Sequence, residues 1–164
     1  MDTTGDGVVR PGRSASGNAA NFALLGGLIR PEEILQGRID HDLVFSLPGI
    51  GEGPPVCPAT HNAPAGGGIG VEHALREGHH LRLDPSVDVE ALTVPEWQKT
   101  IARALQRYGM YLRDNGGTMG IYAENTINRG YDPWRALGLG GVSVPLDGIP
   151  WDRFRVLNDP DCGG

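Results

Sequence analysis

The sequence lacks the features that would place the protein in a membrane or on a nucleic acid. None of its apolar runs approaches the roughly 18 residues that a membrane-spanning helix needs. Its 14 Lys and Arg are outnumbered by 20 Asp and Glu, which gives a formal net charge of -6, whereas nucleic-acid binding needs a basic surface. The N-terminal residues contain no apolar core of a secretory signal peptide, so an exported chain would have lost its signal or carry it on a part not present here.

Familiar catalytic and cofactor motifs are missing too. There is no Gly-x-Ser-x-Gly elbow, and the Gly-rich stretch 66–70 has no flanking strand that would make it a phosphate or dinucleotide fingerprint. The chain has five histidines, which are His41, His61, His73, His79 and His80. They form no HxxxH or HExxH pattern of the kind that binds zinc on a helix. The sequence therefore predicts no cofactor and no metal, and it leaves open whether the protein is an enzyme.

Cysteine is nearly absent. The two cysteines, Cys57 and Cys162, lie in turn-rich sequence and form no CxxC pattern. They are either two free buried thiols or a disulfide that ties a loop to the C-terminus. Closing a loop of about 100 residues would stabilise the fold by about 4.7 kcal/mol in the chain-entropy treatment, and such a bond would indicate an oxidising compartment.

Glycine and proline, in contrast, are abundant. The 164 residues include 26 Gly and 13 Pro, which favours many turns and short strands over a helical bundle. Gly, Ser, Asn and Asp dominate residues 1–21, so this segment is predicted to be a flexible tail. The remaining residues, 22–164, have the length of a single β-rich domain with one core.

Helix signals occur at three places. Thr93 and Glu96 form a capping box before apolar residues at helical spacing, and Gly109 provides a left-handed end. A shorter helix is predicted over 31–37, where a proline is followed by acidic residues and a final glycine. Asp132 and the proline after it predict a one-turn helix.

The predicted strands are short. Asp42–Leu47 places Leu43, Phe45 and Leu47 on one face, and His80–Leu83 alternates polar and apolar residues. A last strand covers 151–157. Strands over 110–113 and 118–124 flank an Asn-Gly turn, which is typical of a hairpin. Together the elements predict a mainly β, α+β fold, namely an antiparallel sandwich or open barrel of short strands with one amphipathic helix packed on it.

Several segments resemble a large family of secreted bacterial proteins. The first runs from Gly26 to Leu43 and follows the pattern G-G-L-I-R-x-x-E-I-x-x-G-x-I-x-H-A-L, with Asp42 in place of the usual alanine. The similarity continues through the sequences CPATH, LRLDP, IARALQRYG, DNG and PWDRF. It therefore spans most of the chain from Gly26 to Leu157.

The resemblance implies an extracellular or periplasmic protein of a kind that often accompanies carbohydrate-active modules. Family members are usually longer, with a Trp- and Tyr-rich half before this one. A site built across both halves would therefore need a second chain to supply that half here, and a homo-oligomer is the other expected assembly. Relatives that keep a cysteine at the position of Cys57 tend to end with another, as this chain does at Cys162. The resemblance therefore favours a disulfide between the two.

Five residues are the candidates for chemistry. The catalytic candidates are His61 in the long Gly-, Pro- and Ala-rich loop after the first strand, His41 beside that strand, and Asp114 at the predicted hairpin turn. Arg82 and Asn115 are the substrate-binding candidates, because a guanidinium or an amide can bind a carboxylate or a sugar hydroxyl. Each also has a structural interpretation, as a core histidine, a surface or turn residue or part of a solvated strand face.

Two functions are compatible with these patterns. The first is a carbohydrate-active or carbohydrate-binding extracellular module, with a polysaccharide ligand and a site in which His61, His41, Arg82 and Asp114 converge on one concave sheet face. The second is a non-catalytic structural or assembly module, in which another copy or another chain covers exposed sheet edges and apolar surface.

Overall fold

The structure is a computed structural model, and it describes residues 19–21, 25–64, 74–141 and 143–157. The helices are α1 (Pro31–Gln36), α2 (Glu96–Arg107) and α3 (Pro133–Ala136). The strands are β1 (Leu43–Ser46), β2 (His80–Leu83), β3 (Met110–Asp114), β4 (Gly120–Ile121) and β5 (Phe154–Leu157). Single turns of 3-10 helix lie between them at Val89–Ala91, Ile127–Arg129 and Trp151–Arg153.

The five strands form one mixed sheet in the order β4-β1-β3-β2-β5. β1 and β3 run parallel, with Leu43 opposite Met110 and Ser46 opposite Asp114, and the other three pairs are antiparallel. The prediction of a mainly β, α+β fold is confirmed, and the sheet formed by the described residues is not a closed barrel. The antiparallel arrangement needs one correction, because the β1–β3 pair is parallel.

β1 lies between two other strands, and this changes the predicted hairpin. All four of its residues are buried, so its backbone groups need partners on both sides. β3 supplies one side and β4 the other, with Ser46 opposite Gly120. The predicted hairpin of 110–113 with 118–124 is therefore wrong, because the Asn-Gly segment carries the chain past β1 instead of reversing it beside β3. Gly116 permits this crossing, since a Cβ there would lie only 2.6 Å from Ser46 Oγ.

α2 packs on the sheet through an apolar stripe. Ile101 and Leu105 are buried in the same cluster as the central strand residues, so the prediction of a packed amphipathic helix is confirmed. The predicted capping box is wrong, because the helix begins at Glu96 after Pro95 and no side chain caps it. Proline suits this position, since it has no N–H that a helix start would leave unpaired. Within the described ranges, no helix is long and apolar enough to cross a membrane.

The two short helices begin and end as the sequence predicts. α1 starts with proline and ends at Gly37 in the left-handed conformation. Asp132 caps α3, where its carboxylate accepts a hydrogen bond from the backbone N–H of Arg135 at 3.1 Å. The predicted last strand is shorter than expected, because a 3-10 turn occupies Trp151–Arg153 before β5 begins.

Only residues 19–21 of the predicted tail belong to the described part of the chain. Residues 1–18 lie outside the described residues, as does Cys162, so the disulfide with Cys57 stays a prediction. Ala20 is described and is buried. Its N–H donates to the carbonyl oxygen of Arg113 at 3.1 Å, and its own carbonyl accepts the N–H of Thr60 at 3.1 Å. The last residues of the predicted tail are thus joined to the sheet and to the long loop.

Candidate functional site

The structure places the predicted catalytic residues His41 and Asp114 at different ends of the sheet. His41 precedes β1, whereas Asp114 ends β3 and lies opposite Ser46 at the end of β1. With a rise of about 3.3 Å per residue, the start of β1 is roughly 10 Å from the level of Asp114. His41 lies before that start, so the structure does not bring these two side chains together.

His41 and Arg82 each hold neighbouring elements in place. His41 Nε2 lies 2.9 Å from Glu33 Oε1, and its Nδ1 lies 2.8 Å from the carbonyl oxygen of Asp42. Arg82 Nε donates to the carbonyl oxygen of Gln106 at 2.8 Å. That oxygen lies in the last turn of α2, where a cation is favourable. Both side chains therefore have partners that account for their positions without a ligand.

His61 and Asn115 belong to the loops at the other end of the sheet. His61 is exposed, and its Nδ1 lies 3.0 Å from the carbonyl oxygen of Ala19. Asn115 Oδ1 accepts a hydrogen bond from the backbone N–H of Gly49 at 3.3 Å. The amide of Asn115 thus joins the loop after β3 to the loop after β1, which is a structural contact at the position where the sequence predicts substrate binding.

A buried acid that no sequence pattern singled out lies within electrostatic reach of both His61 and Asp114. Glu77 is 0% exposed. Its Oε2 accepts the N–H of Ala63 at 2.9 Å, and its own backbone N–H donates to Asn62 Oδ1 at 3.1 Å. Its Oε1 is buried and has no hydrogen-bond partner. The residue thus ties the end of the long loop to the segment that leads into β2.

Burial raises the pKa of the Glu77 carboxyl to about 7, the charge of Asp114 adds to this effect, and the Ala63 N–H and His61 act against it. Carboxyls that titrate near neutral pH are common in active sites. Glu77, however, has no exposed atom that could touch a ligand in this conformation, so its role here is to hold the loop. Sequence reasoning could not find it, because a lone glutamate between an arginine and a glycine is normally solvated.

An open cleft lies between β4, the first turns of α2 and the loops that follow β4 and α3. It has a volume of about 1270 Å³. All three tryptophans of the chain line it, together with two tyrosines: Trp97, Trp134, Trp151, Tyr122 and Tyr131. Pockets for a single small ligand usually measure about 300–1,000 Å³, so this cleft has room for an extended ligand.

Backbone hydrogen bonds fix the wall of the cleft that follows β4. The N–H of Tyr122 donates to the carbonyl oxygen of Val44 at 3.1 Å, which continues the pairing with β1. Ile29 exchanges bonds with this wall through the carbonyl of Tyr122 and the N–H of Glu124, at 3.1 and 2.9 Å. Trp134 Nε1 donates to the carbonyl oxygen of Glu124 at 2.9 Å. The indole is therefore held in one orientation by its polar edge.

The facing wall is built on α2 and on the segment before β5. Gln98 Nε2 donates to the carbonyl oxygen of Pro145 at 3.1 Å, which holds the 143–147 loop against the helix. Trp151 stacks on Phe154 with ring centroids 5.2 Å apart. Trp151 is thus supported by Phe154, and like Trp97 it is only partly buried, which leaves part of its surface for the cleft.

The cleft combines apolar ring faces with hydrogen-bonding groups. Tyr131 is 63% exposed at the rim, and the lining also includes Glu124, Asn125, Asp132 and Asp147. Such a surface suits a ligand with flat apolar faces and polar edges. No motif could reveal this arrangement, because the aromatic residues come from separate segments. The apolar residues at helical spacing after Glu96 include Trp97, and this spacing predicts only that they face the interior.

Comparisons with known proteins add no relative. The chain matches no protein-family model, no curated protein and no solved structure. The resemblance to a secreted bacterial family therefore stays a prediction, and the function has to be argued from the geometry of the cleft. Among the described residues, no group of three or more His, Cys, Asp or Glu side chains could hold a metal ion.

Proposed function

We propose that the protein binds carbohydrate in the aromatic cleft, as an extracellular or periplasmic module. The observation that carries the proposal is the gathering of all three tryptophans on one open surface that also contains carboxylates and an amide. A sugar ring has an apolar face that packs on an aromatic ring, and hydroxyls at its edge that need hydrogen-bond partners. The size of the cleft favours several sugar units over one.

The cleft supports binding better than hydrolysis. Glycoside hydrolysis generally needs two carboxyl groups on either side of the scissile bond. Glu124 is occupied by a bidentate contact with Arg129, at 2.7 Å to each carboxylate oxygen, and Asp132 caps α3. Asp147 is the carboxylate of the described lining that remains free for a ligand.

The alternative is that the cleft is an assembly surface. Several apolar side chains are exposed at its rim, among them Ile127 at 82% and Met119 at 38%. A second copy or another chain could cover them, and contiguous exposed apolar surface often marks an interaction site. Light scattering distinguishes the two, because an assembly module forms a dimer or larger species without added carbohydrate, whereas a binding module is monomeric.

The test is a comparison of cleft variants in affinity electrophoresis against a panel of soluble polysaccharides. Tyr131→Ala removes an exposed ring and should weaken binding by about tenfold, the loss expected for one aromatic contact. Tyr108→Ala, which removes an aromatic ring outside the cleft lining, is the matched control. His61→Ala should also leave binding unchanged. Equal loss of affinity in the control, or no retardation by any polysaccharide, would contradict the proposal.

A further inference from the structure

The charged side chains that line the cleft in the described part of the chain are all of one sign. Three carboxylates belong to the described lining, those of Glu124, Asp132 and Asp147, and this lining contains no Lys, Arg or His. The nearby cation Arg129 lies outside the lining and is held between Glu124 and Glu32. The guanidinium of Arg113 lies 4.5 Å from the ring centroid of Tyr122, but Arg113 is buried and does not line the cleft. The described lining therefore offers a ligand no cationic side chain.

We propose that the ligand of the cleft carries no negative charge, so that it is a polysaccharide of neutral or amino-sugar units and not one of uronic acids or sulfated sugars. This inference rests on the proposed function and narrows it to a substrate class. Proteins recognise carboxylates and sulfates mainly through Arg and Lys, which form charge-assisted hydrogen bonds with them. The described lining offers none, and an anionic ligand would meet only like charges.

Asp147 contributes most to this selectivity. It is exposed, and among the described residues no cation pairs with it, unlike Glu124, whose charge Arg129 compensates. Its charge is thus directed to whatever occupies the cleft. The interaction of two charges a few ångströms apart near a protein surface is several times stronger than in bulk water. A carboxylated sugar beside Asp147 is disfavoured, whereas a protonated amino sugar is favoured.

The experiment uses three oligosaccharides that share one linkage and length and differ in the one substituent per unit that sets the charge. They are a neutral β-1,4-glucan hexamer, its uronate form with a carboxylate at C6, and a fully deacetylated chitosan hexamer with an amino group at C2. Calorimetric titration at low salt measures each affinity on the intact chain. If the β-1,4 series does not bind, the same comparison is made with neutral, uronate and amino-sugar members of the polysaccharide panel. We expect the uncharged or cationic ligands to bind at least about tenfold more tightly than the uronate, a difference of about 1.4 kcal/mol.

Two variants assign the selectivity to the cleft. Asp147→Asn should weaken chitosan binding several-fold, whereas Asp152→Asn removes an exposed carboxylate outside the lining and should not. Uronate binding that equals or exceeds neutral binding and is lost in Tyr131→Ala would overturn the charge inference while leaving carbohydrate binding in place. Failure of every oligosaccharide and every panel polysaccharide to bind would overturn both.

Discussion

Replacing Glu77 by glutamine should change how the stability of the protein depends on pH. The side chain is fully buried, one carboxylate oxygen accepts the N–H of Ala63, and the other has no partner. Glutamine keeps an oxygen for the Ala63 N–H and has nearly the same shape, but it cannot ionise. The variant therefore isolates the charge of this one residue.

The sign of the effect follows from the direction of the pKa shift. Burial raises the pKa of Glu77 from 4.5 to about 7 in the folded protein. Between these two pH values the folded state binds the proton more tightly than the unfolded state, so the free energy of unfolding falls as the pH rises through this window. The shift corresponds to about 3 kcal/mol, which is fully present below the lower value and fully lost above the higher one.

The assay is urea unfolding of the natural protein and Glu77→Gln at several pH values from 4.5 to 8. If the glutamine amide changes the free energy of unfolding by a constant amount, this amount cancels when the stability of each protein at one pH is compared with its own stability at another. Relative to the variant, the natural protein should therefore lose about 3 kcal/mol between the two ends. Glu52→Gln, an exposed carboxylate in the same loop region, is the control and should parallel the natural protein.

Parallel curves for the natural protein and Glu77→Gln would refute the reasoning. They would mean that Glu77 titrates in the folded state as it does in the unfolded chain, and hence that the buried, half-satisfied carboxyl does not exist in solution. A Glu52→Gln variant that lacks the pH-dependent loss, as Glu77→Gln is expected to, would refute it as well, because the effect would then come from net charge and not from burial.

Three further substitutions test the fold by urea unfolding. Gly78→Ala should cost at least about 2 kcal/mol or prevent folding, because its φ is 95° and a Cβ would lie 1.6 Å from the carbonyl oxygen of Val56; a stable variant would contradict the described approach of the two segments. Leu105→Ala, at a fully buried position of α2, should cost about 2–5 kcal/mol, and a cost below that range would mean that the helix is not packed on the sheet. Asp132→Ala should cost about 1 kcal/mol through the lost cap of α3, and a neutral result would argue against that hydrogen bond.

Prediction from the sequence succeeded where the signal was local. The proline and acidic residues at the start of α1 and the Asp-Pro start of α3 act on their own turn of helix, so the observed elements match them. The apolar stripe of α2 is likewise a property of adjacent turns. The alternating residues of β2 predicted its bounds, His80–Leu83, without any knowledge of its partners.

Prediction failed where two local signals competed or where partners were distant in sequence. The Asn-Gly turn favours a hairpin, but β1 needs strands on both sides, and burial of its four residues outweighs the turn preference. The expected convergence of the candidate site residues on one sheet face also depended on the order of the strands, which the sequence does not give. A parallel β1–β3 pair puts His41 and Asp114 at different ends of the sheet.

The sequence by itself determined the class of the fold, the packed helix and most element positions, because helix caps, turns and alternation act between residues that are close along the chain. Only the tertiary structure decided the strand order, the burial of Glu77 and the gathering of Trp97, Trp134 and Trp151 around one cleft. These features depend on which distant segments pack together and so remove their apolar surface from water. The resulting free energy comes from the core as a whole and cannot be assigned to one segment.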